Sequence, residues 1–236
     1  SYLFQIAKTT GIVATTTALD FETSTFHEIT VIVTDKGSPP LSTEISFVIT
    51  VSDTNDNAPV FSETNGYSFT VPEESAQTIG VIEASDVDTI GTLSCSLSPV
   101  GNTNGIFSIS ENGVISCTDG IDVDIPGAQT VFTLTVFCSD GIASPKTTVK
   151  VTVTDINDNT PLISNDIKTL SISDVAPIGT TVYIVSASDA DITTEHGTIK
   201  YTLSGDDASK YFSIDGDTVK VKETFGKSMA FEFDII

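Results

Sequence analysis

Positive charges and long apolar segments are both scarce in this sequence. Its 236 residues contain 10 lysines and arginines against 32 aspartates and glutamates, which gives a formal net charge of −22 at pH 7. Nucleic acid binding needs clustered basic residues that replace the counterions of the phosphates, so we expect no nucleic acid partner. A negatively charged membrane surface is disfavoured for the same reason. No run of about 18 or more apolar residues is present, so no segment is expected to cross a bilayer as a helix.

Helical periodicity is missing as well. No window places apolar residues at helical spacing between recognisable caps. Apolar residues alternate with polar ones at every second position instead, for example over residues 29–33, 132–136 and 149–153. These runs are rich in Val, Ile, Thr and Phe, which suit the half-buried face of a sheet. Turn-forming clusters separate them at intervals of roughly 8–12 residues, and the whole pattern predicts an all-β chain of antiparallel β-sandwiches.

The chain also repeats itself at intervals of about 100 residues. Three motifs return in phase: VSDTNDNAP at 51–59 as VTDINDNTP at 153–161, SDVD at 85–88 as SDAD at 188–191, and LDFE at 19–22 as IDVD at 121–124. A common spacing in three separate motifs indicates a tandem repeat, and about 100 residues is an ordinary size for one sandwich.

This spacing predicts three parts. Residues 1–57 would carry the last four strands of one repeat, residues 58–160 a complete repeat of seven strands, and residues 161–236 the first six strands of a third. A partial sandwich leaves one face of its core uncovered, so we expect the chain to belong to a longer array. The seven strands of the complete repeat are expected to centre on Phe69, Ile82, Leu93, Phe107, Ile115, Leu134 and Val151.

The recurrent acidic residues fall next to predicted strand ends. Because consecutive strands of a sandwich alternate in direction, each acidic motif can be assigned to one end of its repeat. This assignment gathers two sets of carboxylates at the two junctions between repeats. The first junction would collect Asp20, Glu22, Asp56, Asp86, Asp88 and Asp140. The second would collect Glu73, Asp122, Asp124, Asp158, Asp189 and Asp191.

Each set of carboxylates needs a compensating positive charge, because closely spaced carboxylates repel one another or stay protonated. Calcium suits this environment, since it takes six to eight oxygens at about 2.3–2.6 Å from carboxylates, Asn side chains and backbone carbonyls. Zinc is disfavoured, because neither His nor Cys occurs in these turns in a zinc-ligand pattern. The sequence therefore predicts calcium, Ca²⁺, at both junctions.

Together these motifs resemble those of the cadherin superfamily. SDTNDNAPVF and TDINDNTPLI are similar to the linker between cadherin repeats, and LDFE, PEE at 72–74, DVD, DAD and the Asp35 and Asp140 turns match the calcium motifs of that family in order. The resemblance implies tandem seven-stranded Greek-key β-sandwiches of immunoglobulin-like type, joined by calcium-binding linkers. It also implies three calcium ions at each complete linker.

The resemblance implies ligands beyond the carboxylates already named. At the first junction these are the side chain of Asn55 and the carbonyls of Thr54, Asn57 and Ile90. At the second they are the side chain of Asn157 and the carbonyls of Ile156, Asn159 and His196. Asp56 would bridge two ions. Asp124 stands where the family has a glutamate, so its shorter side chain puts a bridging reach in doubt. Asp53 and Asp155 precede the ligands and are not counted among them, because each can serve instead to brace the linker.

The implied fold also bears on the three cysteines. It places the third and sixth strands of the complete repeat side by side, which would set Cys95 opposite Cys138. We therefore predict a disulfide between these two residues, and we expect Cys117, on the fifth strand, to be buried and unpaired. An extracellular location favours the oxidised pair.

An enzyme is disfavoured, because no nucleophile, zinc-protease or phosphate-binding motif is present. The acidic residues lie in calcium-type clusters that would keep them ionised, unlike a general acid. The resemblance implies calcium-dependent cell–cell adhesion by the extracellular part of a single-pass plasma-membrane protein. Its partners would be other cadherin ectodomains, homophilic or heterophilic, and not a small-molecule substrate. The alternative is a load-bearing extracellular tether or filament of such repeats without homophilic recognition.

Overall fold

A computed structural model describes residues 2–73, 76–102, 105–164, 169–205, 208–226 and 234–235. The chain divides into two compact units. The first comprises Ser1–Phe69, Ala76–Asp119 and Phe132–Val151, and the second comprises Thr70–Ser75, Gly120–Val131 and Thr152–Ile236. Strands dominate both units, as the alternating pattern predicts. Within the described ranges no helix is long and apolar enough to cross a membrane.

The N-terminal part of the first unit consists of two antiparallel pairs. Its strands are β1 (Phe4–Ile6), β2 (Val13–Thr15), β3 (Phe26–Thr34) and β4 (Ser42–Thr50). Strand β1 pairs with β2, and β3 pairs with β4 in a register that sets Ile29 opposite Phe47. The ring of Phe4 packs edge-on against His27, with 5.4 Å between the ring centroids.

The central segment folds into two facing sets of strands. Its strands are β5 (Val60–Phe61), β6 (Tyr67–Pro72), β7 (Gln77–Val81), β8 (Ala84–Ser85), β9 (Ser94–Leu97), β10 (Phe107–Ile109), β11 (Val114–Cys117), β12 (Val131–Ser139) and β13 (Lys146–Thr154). One sheet has the order β6-β13-β12-β9 and another the order β10-β11-β7, while β5 pairs with β8 alone. Seven strands in a four-plus-three arrangement are the predicted composition of a sandwich of this class.

The core of the first unit follows the period-two pattern of the sequence. Leu134, Val136, Val149 and Val151, which alternate along β12 and β13, are fully buried. Complete burial of such a side chain contributes about 1.5–3 kcal/mol. The rings of Phe107 and Phe132 meet edge to face with centroids 5.1 Å apart.

Two of the seven expected strand centres lie outside the strands. Ile82 directly follows β7, and Leu93 directly precedes β9. Ile82 is nonetheless buried, and its N–H donates to the carbonyl of Gly113 at 2.9 Å. Alternation of apolar residues reports burial, and a residue can be buried where the strand ladder is interrupted, which explains the difference.

The second unit contains the remaining strands. They are β14 (Leu162–Ile163), β15 (Thr181–Ile184), β16 (Ala187–Ser188), β17 (Leu203–Ser204), β18 (Phe212–Asp215), β19 (Thr218–Val221) and β20 (Asp234–Ile235), with a one-turn helix α1 (Ala208–Tyr211) before β18. The sheets are β15-β19-β18, β14-β16 and β17-β20. Val185, Phe212 and Val219 form the buried core here. Residues 227–233, which belong to the third predicted repeat, lie outside the described residues.

The cysteine predictions are confirmed. Strands β9 and β12 pair antiparallel with Cys95 opposite Cys138, and the two residues form a disulfide with their Cα atoms 4.0 Å apart. Cys117 is buried and free, and its thiol donates to the carbonyl of Asp119. Burial raises the pKa of this thiol above its ordinary value, which keeps it protonated and unreactive.

Replacing both Cys95 and Cys138 with serine should lower the free energy of unfolding by about 2–4 kcal/mol, because the bond restricts the unfolded chain. Denaturant unfolding with and without reductant measures this effect. Cys117→Ala serves as the control, since it keeps the disulfide. Reductant should destabilise Cys117→Ala and leave the double serine variant unchanged; an equal response of the two would contradict the prediction.

Candidate metal centres

Five carboxylates converge in the first unit and form what we call the first cluster. Glu22, Asp56 and Asp88 each offer an oxygen, and these oxygens lie within 4.8 Å of one another. Asp86, Asp88 and Asp140 form another acidic group of the first cluster, whose oxygens also lie within 4.8 Å of one another. Asp88 therefore belongs to both groups, and an ion in each would share it.

Strand ends and tight turns position these side chains. Asp86 and Asp88 follow β8, and Asp140 follows β12. Asp86 Oδ1 accepts the N–H of Asp88 at 3.0 Å, and Asp140 Oδ1 accepts the N–H groups of Ile142 and Ala143, both at 2.7 Å. Such Asx turns are local and therefore form wherever this sequence pattern leaves a strand. They use one oxygen of each carboxylate and direct the other inward.

The second cluster lies in the second unit and has a similar plan. Glu73, Asp124 and Asp158 form one group, and Asp124, Asp155 and Asp191 form another. Glu73 is only 2% exposed, and its two oxygens accept the N–H groups of Val123 at 2.6 Å and Ile156 at 3.0 Å. Asp124 is the shared residue here, so its shorter side chain does reach both groups.

Unpaired buried oxygens mark both clusters. In the described part of the chain, six buried side-chain oxygens have no hydrogen-bond partner: Asp53 Oδ1, Asn55 Oδ1, Asp86 Oδ2, Asp124 Oδ1, Asp140 Oδ2 and Asp191 Oδ2. Asp140 and Asp191 are 5% and 6% exposed. A buried polar atom without a partner costs about 1–3 kcal/mol, and more when it is charged. All six belong to the linker segments or the acidic clusters, and an oxygen-only donor set fits a hard divalent cation such as calcium.

The structure adds Asp53 and Asp155 to the residues of interest. Asp53 Oδ2 accepts both the N–H and the hydroxyl of Thr89, which braces the loop, but its Oδ1 stays buried and unpaired. Asp155 braces the equivalent loop through Thr193 and also places an oxygen in the group with Asp124 and Asp191. Their shared position is the sequence signal that identifies them, since Asp53 lies two residues before Asn55 and Asp155 lies two residues before Asn157.

In the second cluster the pKa values of Asp124 and Asp155 are shifted in opposite directions. Burial raises the pKa of Asp124 to about 6, together with a hydrogen bond that its protonated carboxyl donates to Asp155 and the negative charges of Glu73, Asp155 and Asp191. Burial also acts to raise the pKa of Asp155, but hydrogen bonds from Thr193, His196 and Ile192 outweigh it and hold that pKa at about 2. One proton shared between neighbouring carboxylates relieves their repulsion when no cation is bound.

His196 enters the second cluster through its ring. Its Nδ1 donates to Asp155 Oδ2 at 2.8 Å, and its backbone N–H donates to Thr193 Oγ1 at 3.3 Å. The resemblance implies a role for the carbonyl of His196, whereas the side-chain contact is a feature that spacing alone does not reveal. At the first cluster the corresponding position, directly before the Gly-Thr pair of the loop, is Ile90, which has no polar side chain.

Other expected ligands take part in hydrogen bonds around the acidic groups. The side-chain amide of Asn57 donates to Asp56 at 3.0 Å and Asp88 at 2.7 Å, and that of Asn159 donates to Asp124, Asp158 and Asp191. These amides supply positive dipoles between carboxylates. The carbonyl of Ile156 accepts the N–H of Asp158 at 3.1 Å.

Three expected carboxylate ligands stand at the margin of the clusters. Asp20 accepts the N–H and the hydroxyl of Thr23, and these bonds lower its pKa. Asp122 and Asp189 each accept the N–H of the aspartate two residues later. In the described residues none of the three joins a close acidic group. Thr54, Ile90 and Asn157 are exposed.

Comparisons with known proteins agree with this architecture. The family model described as Cadherin domain matches residues 1–52 and 168–224. Human Protocadherin-15 is 31% identical over 218 residues, which cover 90% of this chain and 11% of that protein. Human Cadherin EGF LAG seven-pass G-type receptor 1 is 33% identical over 218 residues, covering 91% of this chain and 7% of the relative. This chain thus spans only a small part of these relatives.

Solved structures give the same result. A Protocadherin gammaB7 EC3-6 cis-dimer structure superposes with a TM-score of 0.80 at 25% identity, covering 97% of this chain and 60% of that one. Mouse Cadherin-23 EC22-24 superposes with a TM-score of 0.69 at 25% identity, covering 99% and 75% of the two chains. The chain belongs to the cadherin superfamily, because its repeated motifs, its strand arrangement and these similarities all agree.

Proposed function

We propose that this chain is part of an extracellular array in which calcium ions bound at the linkers make the junctions between repeats rigid, and that the array serves calcium-dependent cell–cell adhesion. The observation that supports this proposal is the set of six unpaired buried oxygens at the two acidic clusters. The division into repeats at residues 1–57, 58–160 and 161–236 is part of the proposal.

The first cluster explains how a cation would act. Glu22 precedes β3, Asp56 lies between β4 and β5, and Asp88 follows β8, so one ion would hold together three separate segments. The proposed ligands are those that the resemblance implies, with Asp53 and Asp155 added. Calcium would supply positive charge where the carboxylates converge. The Asx turns and the amide contacts hold those carboxylates in place around it.

Partners and location follow the same proposal. The array would be extracellular, as part of a single-pass plasma-membrane protein, and its partners would be other cadherin ectodomains, homophilic or heterophilic. A Protocadherin GammaB4 extracellular domain, which superposes with a TM-score of 0.75 at 25% identity, supports the extracellular location.

A load-bearing tether is the second candidate. It is favoured by the length of the relatives, of which this chain spans 11% or less, because a tether needs many repeats. Beads that carry the full-length ectodomain distinguish the two functions. Aggregation of the beads that requires calcium indicates adhesion, while extended but non-aggregating molecules indicate a tether.

Removing calcium should make the chain more flexible and lower its melting temperature, because the ions bind only the folded arrangement of carboxylates. Small-angle scattering and limited proteolysis with calcium and with a chelator measure the change. Magnesium at equal concentration is the control for charge screening, since it prefers a smaller octahedral site. Scattering profiles that superimpose with calcium and with chelator would contradict the proposal.

The raised pKa of Asp124 predicts a pH effect in metal-free protein. A carboxyl whose folded pKa is raised from 3.8 to about 6 contributes stability below pH 3.8 and loses it as the pH rises through about 6. Lowering the pH from about 7 to 5 should therefore raise the melting temperature of the wild type relative to Asp124→Asn, whose side chain does not titrate. A difference that does not change with pH would contradict this assignment.

A further inference from the structure

We propose that Gly91, which is not itself a ligand, positions the linker residue Asn55 at the first cluster by leaving room for its side-chain amide. This inference rests on the proposed calcium function and adds a residue to it. Gly91 lies in the loop that follows Asp86 and Asp88, and Asn55 comes from the linker between β4 and β5.

The space occupied by the amide is the space that any other side chain at position 91 would fill. A Cβ atom built on Gly91 would lie 2.7 Å from Asn55 Nδ2 and 3.1 Å from the carbonyl oxygen of Asp140. A distance below about 3 Å forces one of the two groups to move. The amide is the mobile end of a side chain and the carbonyl is fixed backbone, so the amide of Asn55 would be displaced.

The position of that amide determines where its oxygen lies. Asn55 Nδ2 donates to the carbonyl of Asp140 at 3.2 Å, which ties the linker to the residue that follows β12. Its Oδ1 is buried without a partner, as are Asp86 Oδ2 and Asp140 Oδ2. Asp86, Asp88 and Asp140 form one acidic group, and Asp140 is 5% exposed. The amide contact thus fixes a buried, neutral and unpaired oxygen on a side chain bonded to Asp140, whose own Oδ2 is also unpaired, and calcium accepts such a neutral oxygen as a ligand.

Gly141 is a control that distinguishes the proposed role of Gly91 from the general need for glycine in a tight turn. Gly91 has φ of +94°, and Gly141, directly after Asp140, has φ of +99°. Both conformations are strained for any residue with a Cβ, so alanine carries a comparable backbone penalty at either site. Nothing lies within 4 Å of a Cβ at Gly141. The two alanine variants therefore share the strain and differ in the clash with Asn55.

The test compares five proteins as full chains: wild type, Gly91→Ala, Gly141→Ala, Asn55→Ala and the Asn55→Ala/Gly91→Ala double variant. Calcium binding is titrated in competition with a chromophoric chelator, and strand content is checked by circular dichroism. Gly91→Ala should weaken the binding of one ion about tenfold and leave the others unchanged. Gly141→Ala should lower the melting temperature of metal-free protein to a similar extent but keep the calcium affinities of the wild type.

Asn55→Ala removes the amide without changing the backbone, and it should weaken the same ion as Gly91→Ala. In the Asn55→Ala background, Gly91→Ala should cause no further loss, because its effect acts through the amide. Equal loss of affinity in Gly91→Ala and Gly141→Ala, full affinity in Asn55→Ala, or additive losses in the double variant would each overturn the inference. Absence of calcium binding by the wild type would instead overturn the proposed function on which it rests.

Discussion

Repulsion between carboxylates brought together at strand ends is the constraint on which this structure depends. The hydrophobic alternation of the strands decides which residues are buried, and it leaves the acidic motifs at the ends of the strands, where several loops meet. Turn hydrogen bonds at the first cluster and bonds from Asn159 at the second satisfy one oxygen of a carboxylate and leave another buried and unpaired. A divalent cation relieves the repulsion and satisfies the unpaired oxygens at once, which hydrogen-bond donors from the protein do only in part.

The two clusters meet this constraint in different ways. In the first, Asp88 is shared by the two acidic groups, and a glutamate, Glu22, reaches in from the preceding segment. In the second, Asp124 is the shared residue, and Asp155 also lies within reach. Burial and the neighbouring carboxylates raise the pKa of Asp124 in the second cluster, and the contact between His196 and Asp155 has no counterpart in the first cluster. The linkers are therefore related in plan but differ in their electrostatics.

Much of the fold and part of the site could be predicted from the sequence. Alternation identifies Leu134, Val136, Val149 and Val151 as core, and the strand order implied by the cadherin resemblance predicts the Cys95–Cys138 bond. Strand ends were less predictable, since buried residues such as Ile82 need not lie in a ladder. Spacing also does not show which way a loop carboxylate turns. Whether Asp155 braces a loop or faces an ion depends on its bonds to Thr193 and Ile192, and the meeting of Asn55 with Gly91 depends on the folded loops.

The number of calcium ions held by the intact chain tests this account most directly. Native mass spectrometry of protein equilibrated with calcium, compared with the Asp88→Asn/Asp124→Asn variant, counts these ions. The four close acidic groups predict at least four ions on the wild type and fewer on the variant, which lacks the carboxylate shared within each cluster. Equal counts for the two proteins, or no calcium retained by the wild type, would contradict the central claim that these clusters are built around calcium.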